Sequence, residues 1–183
     1  MKWPVSFLGP IVLFAAGCGD DVTTRSPSAD TAAVAFLGRS APDDAVSIAA
    51  VVERLAGTKT DADSDTNECV VQGVIYAGEH DPFQTDSAVF LMSELPDPTH
   101  GDGTLDHADN CPFCKRRAEK ATKAMVEFRG DDGELISTPA DELFGLTKGD
   151  RVTVTGHCRF DEAMNLVTIQ ATKIYNARAN AMN

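Results

Sequence analysis

The chain of 183 residues is poor in cations, poor in aromatic side chains, and lacks any apolar run long enough to cross a bilayer. Crossing about 30 Å of hydrocarbon takes about 20 apolar residues, and the stretch from Val5 to Phe14 is far shorter and broken by Pro10. Sixteen Lys and Arg stand against twenty-eight Asp and Glu, which leaves a net charge of −12. Phosphate backbones are gripped by clustered cations that displace counterions. The basic cluster here is Lys115-Arg116-Arg117, continued at Lys120 and Lys123, so nucleic-acid binding is not expected. Aromatics number nine Phe, two Tyr and one Trp, and the Trp is Trp3; a stacking platform for single strands needs exposed rings in a basic groove. Also missing are a Ser/His/Asp order, a nucleophile elbow, a phosphate-cradling glycine loop and a His-Glu-x-x-His pair. Their absence removes the commonest hydrolase, nucleotide-binding and metalloprotease readings. No internal repeat is visible.

What is present begins at the amino terminus. One cation, Lys2, precedes the apolar stretch, and the small residues Ala15-Ala16-Gly17 lead into Cys18. A charged end, an apolar middle and a small-residue cleavage site make a secretory signal. Ala-Ala-Gly-Cys resembles the lipobox of bacterial lipoproteins, which implies cleavage before Cys18 and lipid attachment to its thiol. Without lipidation the same segment would serve as an ordinary secretory signal. The resemblance implies a bacterial cell-envelope, extracytoplasmic protein held to the membrane through its lipid anchor. The other four cysteines, Cys69, Cys111, Cys114 and Cys158, then sit where disulfides persist. The acidity fits a protein kept soluble beside a charged envelope, or one that attracts cations.

An apolar share of 43 % is ordinary for a globular protein, and the length suits one domain with an extra segment or two. Residues 1–17 read as the signal and 18–40 as a flexible tether. Residues 41–67 read as a helix and an acidic linker: Pro42-Asp43-Asp44 offers a start, Ile48, Val51, Val52 and Leu55 fall at helical spacing, and Gly57 offers a stop. The acids of KTDADSDTNE (59–68) lack the regular spacing of a calcium loop and read as solvated. The main domain spans 68–176, and 177–183 is a tail. Within it, CVVQGVIYAG is a strand with a bulge or bend at Gly73, AVFLMSE a second strand and AMVEF a third. ADELFGL is a short helix capped by Thr138. KGDRVTVTGHCRF and LVTIQATKIY are the last two strands, with Val152 and Val154 alternating against Arg151, Thr153 and Thr155. Residues 95–114 are a long Pro/Gly/Asp-rich loop, with a helical run after it.

The order strand, strand, strand, short helix, strand, strand resembles the OB-fold, a five-stranded Greek-key barrel. The expected class is therefore all-β, a small OB-fold-like barrel with short helices and a long inserted loop; another small β-barrel is the alternative. OB-folds commonly bind ligands across strands two and three, but fold alone does not transfer function. Phe90 and Phe128 stand in strands and are expected in the core.

The loop carries the chemistry. His100, His107, Cys111 and Cys114 lie within fifteen residues. Zinc takes four tetrahedral ligands, thiolate and imidazole among them, and copper(I) suits the same soft donors. Cys111 and Cys114 would supply two, His107 a third, and His100 or Asp109 the fourth. A second reading rests on CPFC, which resembles the glutaredoxin and thioredoxin-type motif at a helix start; the resemblance implies Cys111 as nucleophile in dithiol–disulfide exchange. A third makes the cysteines structural. Of the three connectivities four cysteines allow, the OB-fold resemblance implies Cys69 with Cys158, because in such a barrel the first and fourth strands pair antiparallel, and leaves Cys111–Cys114 as a second, short bridge. His157, beside Cys158 on a strand, should face away from it, and His80 could border the loop. The expected function is a non-enzymatic binding or interaction module of the envelope, with zinc or copper in the Cys/His loop and an envelope protein or small ligand as partner. A dithiol–disulfide oxidoreductase is the alternative.

Overall fold

A computed structural model describes residues 29–56, 67–97, 99 and 105–178. The signal segment with Cys18, most of the acidic linker, His100 and the last residues lie outside the described residues. Five strands are joined in the order β1-β2-β3-β5-β4 and close into a barrel: β1 (Glu68–Ile75), β2 (Val89–Ser93), β3 (Lys123–Glu127), β4 (Arg151–Asp161) and β5 (Leu166–Asn176). All neighbours are antiparallel except β3 and β5, which run parallel. The barrel is OB-fold-like, as the element order predicts. Among the described residues no helix is long and apolar enough to cross a membrane.

Alternation builds the interior. In β4, Val152, Val154 and Cys158 are buried while Arg151, His157 and Arg159 are exposed. Phe90 and Phe128 are wholly buried, so the strand aromatics are core. Gly73 does not bulge. It pairs in register with Val152, and a Cβ there would stand 2.7 Å from the Ser93 carbonyl oxygen; glycine is needed because β1 and β2 approach too closely for a side chain. The register irregularity lies instead in β4, between Thr155 and Gly156.

Cys69 and Cys158 form a disulfide with Cα atoms 6.2 Å apart across 89 residues of chain. Cys69 faces Gly156 in the ladder, which puts Cys158 on the diagonal. Both sulfurs are buried in the core.

Helices close the ends and sides. α5 (Ala140–Phe144) buries Ala140, Leu143 and Phe144, and its Phe144 ring lies 4.5 Å from Phe128. The expected cap at Thr138 is not used: Pro139 is the N-cap and no side chain bonds the helix start. α1 (Ala29–Phe36) occupies part of the stretch expected as tether. It buries Ala33 and sets Phe36 edge-on to Phe128 at 5.2 Å. α2 (Ile48–Ala56) buries Ile48, Val51 and Leu55 as its spacing predicts, yet it does not start at Pro42. Residues 43 and 44 form a turn, and Val46 pairs in parallel with Val71. The helix begins where Ser47 accepts the Ala50 N–H at 3.1 Å. The Glu94 carboxylate, beyond β2, accepts the Ala49 N–H. Burial pushes the Glu94 carboxyl above its ordinary range, outweighing that bond.

Two outcomes follow. The double substitution Cys69→Ala/Cys158→Ala should retain the barrel's circular dichroism and lose about 4–5 kcal/mol of unfolding free energy, the loop-closure value for about 90 residues, read from denaturant midpoints. Glu94→Gln keeps an acceptor for Ala49 and carries no charge. Because the folded protein holds the Glu94 proton more tightly than the unfolded chain, wild type is favoured at low pH and loses that advantage as pH rises through the raised folded value. The stability of Glu94→Gln relative to wild type should therefore increase from about pH 4 to pH 7; a difference independent of pH would contradict the burial.

Candidate metal centre

Between β2 and β3 lie two short helices, α3 (Leu105–Asn110) and α4 (Pro112–Lys120); α4 contains much of the helical run expected after Cys114, whereas α3 and the first turn of α4 stand where loop was expected. The sequence explains the break between them. Cys111 is extended, with φ −92° and ψ 115°, and Pro112 occupies the first position of α4, where its fixed φ and missing N–H are tolerated. The Cys111 N–H donates back to the His107 carbonyl at 2.9 Å, and the Cys111 carbonyl accepts from Lys115 at 2.9 Å. One residue thus ends α3 and begins α4.

The barrel holds this excursion at several points. Leu105 Cδ1 lies 3.6 Å from where a Cβ at Gly149 would stand. Lys123 Nζ donates to the Ala118 carbonyl at 3.0 Å, and Asn165 links Lys120 and Thr122. Lys115 pairs with Glu79 at 2.6 Å on the surface, a contact of little energetic weight when solvated.

His107 in α3, Cys111 at the break and Cys114 in the first turn of α4 are brought together by the two helices meeting at Cys111. Their donor atoms all lie within 4.8 Å of one another, and each side chain is half-buried. Ligands about 2.3 Å from a tetrahedral ion stand about 3.8 Å apart, so sub-ångström to ångström adjustments would close the group on one ion. This is the one cluster of three or more such side chains among the described residues. Of the two residues expected as fourth ligand, His100 and the Asp109 side chain both lie outside the described residues.

The same geometry separates the two thiols. The backbone N–H of Cys114 at the start of α4, with the Cys114 thiol and the Phe113 N–H, holds the Cys111 thiol below its ordinary range. Cys114 is pushed up, chiefly because its proton is shared with Cys111. The expected Cys111–Cys114 bridge is not formed; both cysteines are free thiols.

The other two described histidines take no part in the cluster. His157 is exposed on the outside of β4, opposite the buried Cys158. His80 is exposed and borders α4 through a cavity of about 400 Å³ that it shares with Tyr76, Glu79, Lys115 and Ala118. What sequence reasoning missed is the helical path itself. The one-turn spacing of His107 and Cys111 was a signal for it, hidden because LDHADN, with only Leu105 and Ala108 apolar, is too short to show a period.

In reduced, metal-free protein, alkylation of Cys111 should set in before that of Cys114 as pH is raised from about 6 to 9, read by mass mapping of peptides. Simultaneous onset would contradict the thiolate stabilisation at the start of α4.

No protein-family model matches the chain, and no curated protein matches it in sequence.

Proposed function

We propose that the protein is a lipid-anchored envelope lipoprotein whose barrel presents a His107/Cys111/Cys114 site for a soft or borderline metal ion, zinc or copper(I). It acts as a non-enzymatic binding module for an envelope protein or small ligand. The observation that carries this reading is the convergence of one imidazole and two sulfurs within 4.8 Å. Two thiolates and an imidazole suit zinc and copper(I), whereas magnesium and calcium require oxygen donors. The export half rests on Lys2, the apolar stretch and Ala15-Ala16-Gly17-Cys18. It is supported by the buried Cys69–Cys158 bridge, because disulfides are rare in reducing compartments.

When bound, the metal would be held by the two sulfurs and one ring nitrogen of His107. His107 fixes the ring from the last turn of α3, and Cys111 and Cys114 bring their sulfurs from the start of α4. Metal binding needs both thiols deprotonated, and the amide N–H groups that favour the Cys111 thiolate lower the cost of that step.

One observation favours the second reading, dithiol–disulfide exchange. Cys111 is the more acidic sulfur and Cys114 the less, the order an attacking and a resolving thiol need. The Cys111 thiolate would attack a substrate disulfide, forming a mixed disulfide and releasing one thiolate. Cys114, once deprotonated, would attack the Cys111 sulfur and expel the second, leaving Cys111–Cys114 oxidised and the substrate reduced.

Titration decides between them. Reduced protein should take up one equivalent of zinc with loss of two thiol protons. His107→Ala and Cys111→Ser should each weaken binding by more than about 100-fold, above the loss expected for a merely supporting partner. Failure to bind zinc or copper(I), together with thiol-dependent reduction of a protein disulfide that Cys111→Ser abolishes, would replace the first reading with the second.

A further inference from the structure

A second face of α4 adjoins the one that carries Cys114, with Arg117 near enough to lower that thiol, and it supplies none of the three ligand atoms. Phe113, Arg116, Arg117 and Lys120 fall at i, i+3, i+4 and i+7 and form one stripe along the helix. Phe113 is 80 % exposed, and the three cations are exposed. None of the three makes an ion pair within the described residues. α4 buries no residue, so the stripe is not held there by packing. It also opposes the charge of the whole: α4 carries four cations and one acid in a chain of net charge −12. An exposed ring beside unpaired cations is the chemistry of an interfacial helix, with the ring entering the acyl boundary and the cations meeting anionic headgroups.

We infer that the Phe113/Arg116/Arg117/Lys120 stripe is a docking surface for anionic lipid headgroups, turning the barrel so that α4 faces the membrane. This rests on the lipoprotein reading. Ala29, where the described structure begins, follows Cys18 by eleven residues, at most about 40 Å of chain. A lipid on Cys18 would hold the domain within that distance of the bilayer. The remainder of the acidic surface is repelled by anionic lipid, which leaves the α4 stripe as the face that can approach. An acidic protein partner would meet the same cations, but the anchor places lipid beside them.

The test uses the mature chain, residues 18–183, with Cys18→Ser so that no acyl group contributes. Its sedimentation with vesicles of phosphatidylglycerol and phosphatidylcholine is compared with that on phosphatidylcholine alone. Binding should require phosphatidylglycerol and be released by 0.5 M salt. Arg116→Ala/Arg117→Ala should lower partitioning by about 25-fold, at about fivefold per cation. Phe113→Ser should lower it by about tenfold. Arg151→Ala/Arg159→Ala, on the exposed side of β4, should leave it unchanged. Circular dichroism and zinc uptake, measured on each variant, separate loss of docking from loss of fold. Absence of phosphatidylglycerol-dependent binding, or binding equally weakened by the β4 pair, overturns the inference. The intact mass of the native protein tests the anchor separately: an acylated Cys18 with no vesicle binding sinks the docking surface and keeps the lipoprotein reading, while vesicle binding with an unmodified Cys18 does the reverse.

Discussion

The pairing of β1 with β4 is the constraint on which the rest of the molecule depends. Seven residues, Glu68 to Val74, are laid antiparallel against Arg151 to His157, joining strands far apart in sequence and closing the sheet. Closure removes the unpaired edges that an open five-stranded sheet would expose. It also encloses Phe90, Phe128 and Val154. The Cys69–Cys158 bridge fastens the same two strands at one end of the ladder. At the other end Asp150, almost fully buried, accepts bonds from the Thr147 N–H, Asn176 and Arg178, tying the entry of β4 to the exit of β5. A covalent tie at one end and a charged hydrogen-bond network at the other keep the barrel shut.

A closed barrel frees its connections for other work, and the longest described excursion from it holds the sulfur chemistry. Cys111 is decisive there. As the extended residue between two helices it directs its own sulfur, and the turns on either side, at the His107 ring and the Cys114 sulfur. The arrangement could serve metal binding or thiol exchange with the same atoms, since both need a Cys111 thiolate close to Cys114. The two readings are therefore competitors for one site, and the third donor distinguishes them. His107 is required to complete a metal shell and has no part in passing a disulfide from one sulfur to the next. Docking of α4 against a membrane would in turn fix which way that site faces.

The barrel was legible because its strands are written in period two. Val152 and Val154 against Arg151 and Thr153 give the inward face of β4 directly, and the pairing of Cys69 with Cys158 is what the OB-fold resemblance implied. Helix boundaries were less legible, because the groups that set them are remote. α2 starts at Ser47 and Glu94, not at Pro42, and Glu94 is 45 residues away from the amide it receives. α1 is alanine-rich, with little amphipathic pattern in sequence, and is organised by Phe36 finding Phe128 and Phe144. In the site, the donors Cys111, Cys114 and His107 could be named from residue type and spacing. The helical path that assembles them could not, since LDHADN offers no apolar stripe and the break at Cys111-Pro112 reads equally as loop.

X-ray absorption at the metal edge, on protein isolated without added metal, tests the central claim most directly. The account predicts a bound zinc or copper ion with two sulfur neighbours at about 2.3 Å and at least one nitrogen at about 2.0 Å, altered by His107→Ala. Metal-free protein with Cys111 and Cys114 joined as a disulfide, or a metal shell made of oxygen alone, would contradict it.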